Sequence, residues 1–134
     1  MSDKVFFDTN LLVYSISTEG EKTAIAEALI ASGGVISVQV LNEFVNIARK
    51  KRKMDWNEIH TELAVFSSVL RVVPLTIEIH ERELWLTQNH IFALYDSMIV
   101  AAAELAGCSI LYTEDMNAGF VTGGLTLVNP FKAL

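Results

Sequence analysis

The stretch Lys4-Val5-Phe6-Phe7-Asp8-Thr9-Asn10 decides how the rest of the chain is read. Three apolar, strand-prone residues end abruptly at a carboxylate, which is the pattern of a short buried strand whose C-terminal end presents Asp8. Working outward, similar runs recur at Val35 to Val38, Arg71 to Leu75, Ser109 to Tyr112 and Leu125 to Val128, the last closed by Asn129-Pro130. Helical patterns fill the intervals. Leu11 to Ile16 opens a helix or turn, and Glu21 to Ser32 carries Ala24, Ile25, Ala28 and Leu29 as its expected core stripe before stopping at Gly33-Gly34. Gln39 to Lys53 is apolar along Val40, Leu41, Phe44, Ile47 and Ala48. Asp55 and Glu58 form a capping box in front of Ile59, Leu63, Phe66 and Leu70. Thr76 caps a helix over Ile77 to Asn89, a nearly all-apolar helix runs from Asp96 to Gly107, and Asn117 to Gly124 reads as turns. Strands alternating with helices over short connections mean βαβ units. The predicted fold class is α/β: a three-layer α/β/α arrangement around a central, mostly parallel five-stranded sheet, forming one domain over 1–134.

Composition narrows the function. With 51% hydrophobic and 19% charged residues among 134, the chain is too apolar to be disordered, yet no apolar run approaches the roughly 18 residues that cross a bilayer. The excess predicts a covered face, and hence a homodimer. Cys108 stands alone and Val5 to Phe7 is too short for a signal peptide, so a cytoplasmic location is expected. A net charge of −6 argues against a protein that coats nucleic acid through a general basic surface, so any nucleic-acid contact must be local.

In open α/β sheets the ligand crevice lies beyond the carboxyl ends of the strands, where strand order reverses. Four acids map to that edge. Asp8 follows the first strand and Asp115 the fourth, Glu43 borders the buried face of the helix after the second, and Asp96 stands at the N-terminal end of the most apolar helix. Singly, each has an ordinary explanation as a cap, a turn residue or a solvated carboxylate. Together they do not, because two like charges about 4 Å apart repel by about 4 kcal/mol at an effective dielectric of 20. A divalent cation neutralises such a group, and hard carboxylate oxygens suit Mg²⁺ or Mn²⁺ and phosphate-ester chemistry. Zinc is disfavoured, since His60, His80 and His90 have no ligand spacing to one another or to Cys108. Phosphate-loop, dinucleotide-binding and G-x-S-x-G signatures are missing from the sequence. The run Arg49-Lys50-Lys51-Arg52-Lys53 holds five of the ten basic residues on the helix that carries Glu43; it is either an ordinary basic helix end or a grip for phosphates.

Taken in order, Asp8-Thr9-Asn10, Asn42-Glu43-Phe44, Tyr95-Asp96-Ser97-Met98-Ile99, Thr113-Glu114-Asp115-Met116 and Asn129-Pro130-Phe131 resemble the PIN domain in its VapC-type toxin form, over the full chain. The resemblance implies a Mg²⁺- or Mn²⁺-dependent endoribonuclease of a type II toxin–antitoxin pair, with RNA as substrate and a cognate antitoxin as partner. It also implies products bearing a 5′-phosphate and a 3′-hydroxyl. Carried over residue by residue, Asp8, Glu43, Asp96 and Asp115 are the catalytic, metal-binding acids, with Asn10 and Thr113 as polar supports. The alternative is a non-catalytic Mg²⁺-binding receiver-like signalling module. Such modules carry adjacent acids near the N-terminus and a lysine after the last strands, whereas here Lys4 precedes Asp8 and Lys132 is nearly terminal. A phosphohydrolase with an Asp nucleophile is opposed by Asn10, which stands where its general acid is needed.

Overall fold

A computed structural model of the chain describes residues 4–18 and 20–132; the remaining residues of the expected 1–134 domain, 1–3, 19 and 133–134, lie outside the described residues. The elements follow one another as β1 (Val5–Phe7), α1 (Thr9–Ser15), α2 (Glu21–Ala31), β2 (Val35–Ser37), α3 (Val38–Lys50), α4 (Trp56–Val69), β3 (Arg71–Val73), α5 (Ile77–Gln88), α6 (Leu94–Leu105), β4 (Ile110–Tyr112), β5 (Val121–Thr122) and β6 (Leu125–Val128). The sheet order is β3-β2-β1-β4-β6-β5. Every pairing from β3 through β6 is parallel, and only β5 runs antiparallel, against β6. A parallel strand covered on both faces is apolar throughout, which explains why Phe6 and Phe7, on opposite faces of β1, are both fully buried. β1 is the strand at which the order reverses: β2 and β3 build outward on one side, β4 and β6 on the other. The site must therefore lie where β1 and β4 end.

Three expectations are corrected. The sheet has six strands, not five; the five predicted are all present, and the sixth is the two-residue β5, joined to β6 by Gly123-Gly124 with φ of 56° and 82°. A strand that short carries no alternating pattern, and its glycines read as turn. In α2 the buried residues are Ala26 and Ile30, with Ile25 and Leu29 packed beside them and Ala24 and Ala28 exposed. The expected stripe left out Ile30; burying that large side chain with Ala26 beside it rolls the helix and turns Ala24 and Ala28 to solvent. Finally, α3 stops at Lys50, where Lys51 and Arg52 both donate backbone bonds to the Ile47 carbonyl and Lys53 turns left-handed at φ 52°. The Asp55–Glu58 capping box forms as predicted, and Thr76 caps α5.

Gly34 has a steric role beyond stopping a helix. At φ 156° it passes β1 so closely that a Cβ would sit 2.6 Å from Phe7 Cε2 and 3.0 Å from the Val5 carbonyl oxygen. Both neighbours belong to the central strand and have nowhere to move. Gly34→Ala is therefore expected to destabilise the fold by about 2–3 kcal/mol, read in urea as a lower midpoint at unchanged slope.

Candidate functional site

Asp8 extends the β1–β4 ladder, its N–H donating to the Tyr112 carbonyl at 3.0 Å, and then caps α1. Its Oδ1 accepts the Thr9 N–H at 2.7 Å and its Oδ2 the Thr113 hydroxyl at 2.7 Å. Burial raises its pKa to about 6; the Thr113 and Thr9 bonds pull it down, and the charges of Glu43 and Asp115 push it up further. Asp8 thus caps α1 and lines the cleft at once. The remaining acids arrive from three other elements.

Glu43 lies on α3, whose N-cap Ser37 is the last residue of β2, so the strand delivers the helix directly to the edge. Its Oε1 accepts the Thr9 hydroxyl at 2.6 Å and its Oε2 the Gln39 side-chain amide at 2.8 Å. The same Gln39 nitrogen donates to the Tyr95 carbonyl at 3.1 Å, tying α3 to the first turn of α6. Asp96 sits in that first turn, inside the helix instead of capping it, since the N-cap is Ala93. Its pKa is raised by burial and by the charges of Glu43 and Asp115, partly countering the favourable end of the helix dipole. Asp115 follows β4; its Oδ2 accepts the Asn10 amide at 3.0 Å, and its backbone N–H donates to the Thr113 hydroxyl at 3.3 Å.

Asp8, Asn10, Glu43, Asp96 and Asp115 all line one cleft of about 330 Å³, together with Thr9, Val13, Tyr14, Ile47, Glu114, Lys51 and Arg52. Thr113 stands behind it, fully buried, bridging Asp8 to the loop that carries Asp115. The basic run divides. Lys51 and Arg52 reach the cleft, whereas Arg49 donates to the Met54 carbonyl at 3.0 Å and stacks 4.7 Å over the Trp56 ring. Lys50 and Lys53 are exposed and are not among the lining residues. The histidines stay apart: His60 and His90 are exposed, and His80 pairs with Glu83 at 2.8 Å.

Sequence reasoning missed Thr9, Gln39 and a group around Glu114. Glu114 Oε1 accepts the Tyr14 hydroxyl at 2.7 Å and Oε2 the Lys22 ammonium at 2.6 Å. Burial pushes its carboxyl up, but the Lys22 and Tyr14 bonds and the Lys22 charge outweigh that and hold it below the ordinary range. Lys22 is correspondingly pushed up to about 12, chiefly by the Glu114 bond. A usable signal existed for Gln39, which stands four residues before Glu43 on the same helical face.

The donor set fits a hard divalent cation. Five carboxylates line one cleft, four of them without a cationic partner among the described residues; the most buried, Asp8, is pushed toward its neutral form by burial and by the charges of its neighbours, and a bound cation favours its ionised form. Among the described residues no three His, Cys, Asp or Glu side chains form a ready-made cage. Hydrogen bonds instead hold Asp8, Glu43 and Asp115 to Thr113, Gln39 and Asn10 around the opening.

The model of the PIN domain family matches residues 5–120. A toxin–antitoxin complex from Klebsiella pneumoniae is similar at a TM-score of 0.71 and 26% identity, covering 96% of this chain and 98% of that one. A VapC toxin of Mycobacterium tuberculosis that cleaves the sarcin–ricin loop is similar at 0.69 and 20% identity, covering 84% and 90%. DNA-bound VapBC from Salmonella typhimurium gives 0.68 and 21%, covering 94% and 97%. No curated protein matches the chain.

Proposed function

The chain belongs to the PIN domain family, and from that premise we propose that it is a Mg²⁺- or Mn²⁺-dependent endoribonuclease acting as the toxin of a type II toxin–antitoxin pair. The observation that carries this reading is the meeting of Asp8, Glu43, Asp96 and Asp115 in one cleft at the C-terminal edge of the sheet. The similar VapC toxins, one of them cleaving the sarcin–ricin loop, support the substrate class.

When bound, the divalent cation supplies Lewis-acid polarisation of a phosphodiester oxygen and acidifies coordinated water. Asp8 and Asp96 are its principal ligands in this reading, with Glu43 and Asp115 as further ligands or holders of water. Thr113, donating to Asp8 Oδ2, leaves that acid one fixed orientation; Thr9 and Gln39 do the same for Glu43. Asp115 is exposed and steadied by Asn10, so it is the acid best placed to take a proton from an attacking water at the open side. The test is cleavage of structured RNA with Mg²⁺, Mn²⁺ or EDTA. Cleavage that yields 5′-phosphate ends and stops in EDTA supports the reading, and cleavage persisting in EDTA overturns it.

Lys51 and Arg52, lining the same cleft, grip the phosphates flanking the scissile bond in this reading. Replacing both with Gln is expected to weaken RNA binding several-fold at low salt and to shrink the salt slope by about 2, about one per cation. Lys50→Gln with Lys53→Gln serves as the control, and equal effects from the two pairs would mean a diffuse basic surface. An antitoxin inhibits by placing a guanidinium among the four acids and an apolar helix in a neighbouring groove. Exposed Ile77, Leu84 and Trp85 on α5 supply apolar surface for a homodimer. No helix among the described residues is long and apolar enough to cross a membrane, which is compatible with a toxin acting in the cytoplasm.

A further inference from the structure

Glu114 is the fifth carboxylate lining the cleft, next in sequence to Asp115. It differs from the other four in its partners. Its two oxygens are taken by a hydroxyl from α1 and an ammonium from α2, at 2.7 and 2.6 Å. Lys22 Nζ also lies 3.2 Å from the Tyr14 hydroxyl oxygen and 5.0 and 5.7 Å from the ring centres of Tyr14 and Phe131. Phe131 is buried, and its ring packs edge-on against Tyr14 with centres 5.0 Å apart. The half-exposed ammonium is thus flanked by one carboxylate, one hydroxyl and two aromatic rings, an arrangement that restrains a normally floppy side chain.

We propose that Lys22 is a positioning residue that removes Glu114 from the cation-binding set, so that the cleft presents four carboxylates to a divalent ion instead of five. The proposal rests on the metal-dependent reading of the cleft. Two consequences follow from the geometry. The cleft's charge is trimmed by the Lys22–Glu114 pair, which keeps a bound cation from being over-neutralised and losing its polarising power. Anchoring Glu114 to α1 and α2 also fixes the backbone of the loop that carries Asp115, leaving Asp115 turned to Asn10. The closing Asn129-Pro130-Phe131 motif acquires a role as well, as a wall of the Lys22 socket.

Titration of the EDTA-stripped full chain with Mn²⁺ tests this, reading affinity by calorimetry and by loss of the free-ion resonance signal. Lys22→Met is expected to bind Mn²⁺ at least fivefold more tightly than wild type, because an uncompensated Glu114 joins the acids. Glu114→Gln should weaken binding by no more than about threefold, and the double variant should return to within twofold of wild type. Lys22→Arg, which keeps the charge, should stay near wild type, and Lys50→Met, which removes a cation away from the cleft, should change affinity less than Lys22→Met. Glu114→Gln weakening Mn²⁺ binding thirtyfold, with no recovery in the double variant, would make Glu114 a ligand and overturn the proposal. Lys22→Met lowering the melting temperature while leaving affinity unchanged would reduce the pair to a structural tie and overturn it as well. Wild type failing to take up Mn²⁺ at all would instead sink the metal-dependent reading, an outcome distinct from either of these.

Discussion

Asp96→Asn should cleave RNA at least a hundredfold more slowly than wild type at saturating Mn²⁺, with an unfolding midpoint in EDTA no lower than wild type's. The side chain lies in the first turn of α6, half-buried, where burial and the charges of Glu43 and Asp115 already disfavour its ionised form. Asparagine keeps its shape and removes its charge, so under the proposed function the variant loses a hard anionic ligand without opening a cavity. Removing groups that merely orient metal ligands costs roughly ten- to a hundredfold, so losing a ligand should exceed that range. Asn10→Ala, which takes away only the amide that steadies Asp115, provides the comparison within the same cleft. It should fall inside the range that Asp96→Asn surpasses. Cleavage by Asp96→Asn within tenfold of wild type would remove Asp96 from the chemistry. The readout is a single-turnover rate on a labelled RNA, so that product release does not mask the loss.

The acids were legible because two kinds of local signal converge on them. Asp8 ends an apolar strand and Asp115 follows another, while Glu43 and Asp96 lie in helices of recognisable periodicity. With parallel connectivity inferred from the alternation of elements, all four fall at one edge of the sheet, and the structure lines one cleft with them. Their supports were less legible because they are long-range. Gln39 meets Tyr95 across 56 residues, and Lys22 meets Glu114 across 92. Lys22 in particular sits beside Glu21 in the first turn of α2, a helix with little segregation of apolar and polar faces, and nothing local distinguishes it from any solvated lysine. The roll of α2 that brings Lys22 to Glu114 is the same roll that buries Ala26 and Ile30 in place of Ala24 and Ala28. Periodicity alone specifies the existence of that helix better than its rotation. β5 was missed for another reason: two residues beside two left-handed glycines carry no pattern to detect.

The second large effect runs against the first. Asp8→Asn should abolish metal-dependent cleavage and yet stabilise the metal-free chain at pH 7.5. In the fold the Asp8 carboxyl has its pKa raised to about 6 from 3.8, first by burial and then by Glu43 and Asp115. Between those two values the folded state holds a proton that the unfolded state has lost, so stability falls as pH rises through the window. Below about pH 3 both states are protonated and nothing is lost; above about pH 7 the full penalty applies, on the order of 3 kcal/mol. Asparagine never ionises, and its carbonyl oxygen can still accept the Thr9 N–H. Its amide, however, faces a Thr113 hydroxyl that already accepts the Asp115 and Met116 N–H groups, which takes back part of the gain. A net stabilisation of about 1–2 kcal/mol at pH 7.5 remains, and it reverses to a destabilisation of about 1–2 kcal/mol below about pH 3, where the charge penalty is gone and the amide mismatch is not. Thermal unfolding of both proteins in EDTA across that pH range measures it. Adding Mn²⁺ should then raise the melting temperature of wild type alone, because a cation that binds only the folded state cancels the same repulsion that the substitution removes. If Asp8→Asn is less stable than wild type at pH 7.5 and the difference does not depend on pH, Asp8 is a structural cap and the charge strain assigned to the cleft is absent.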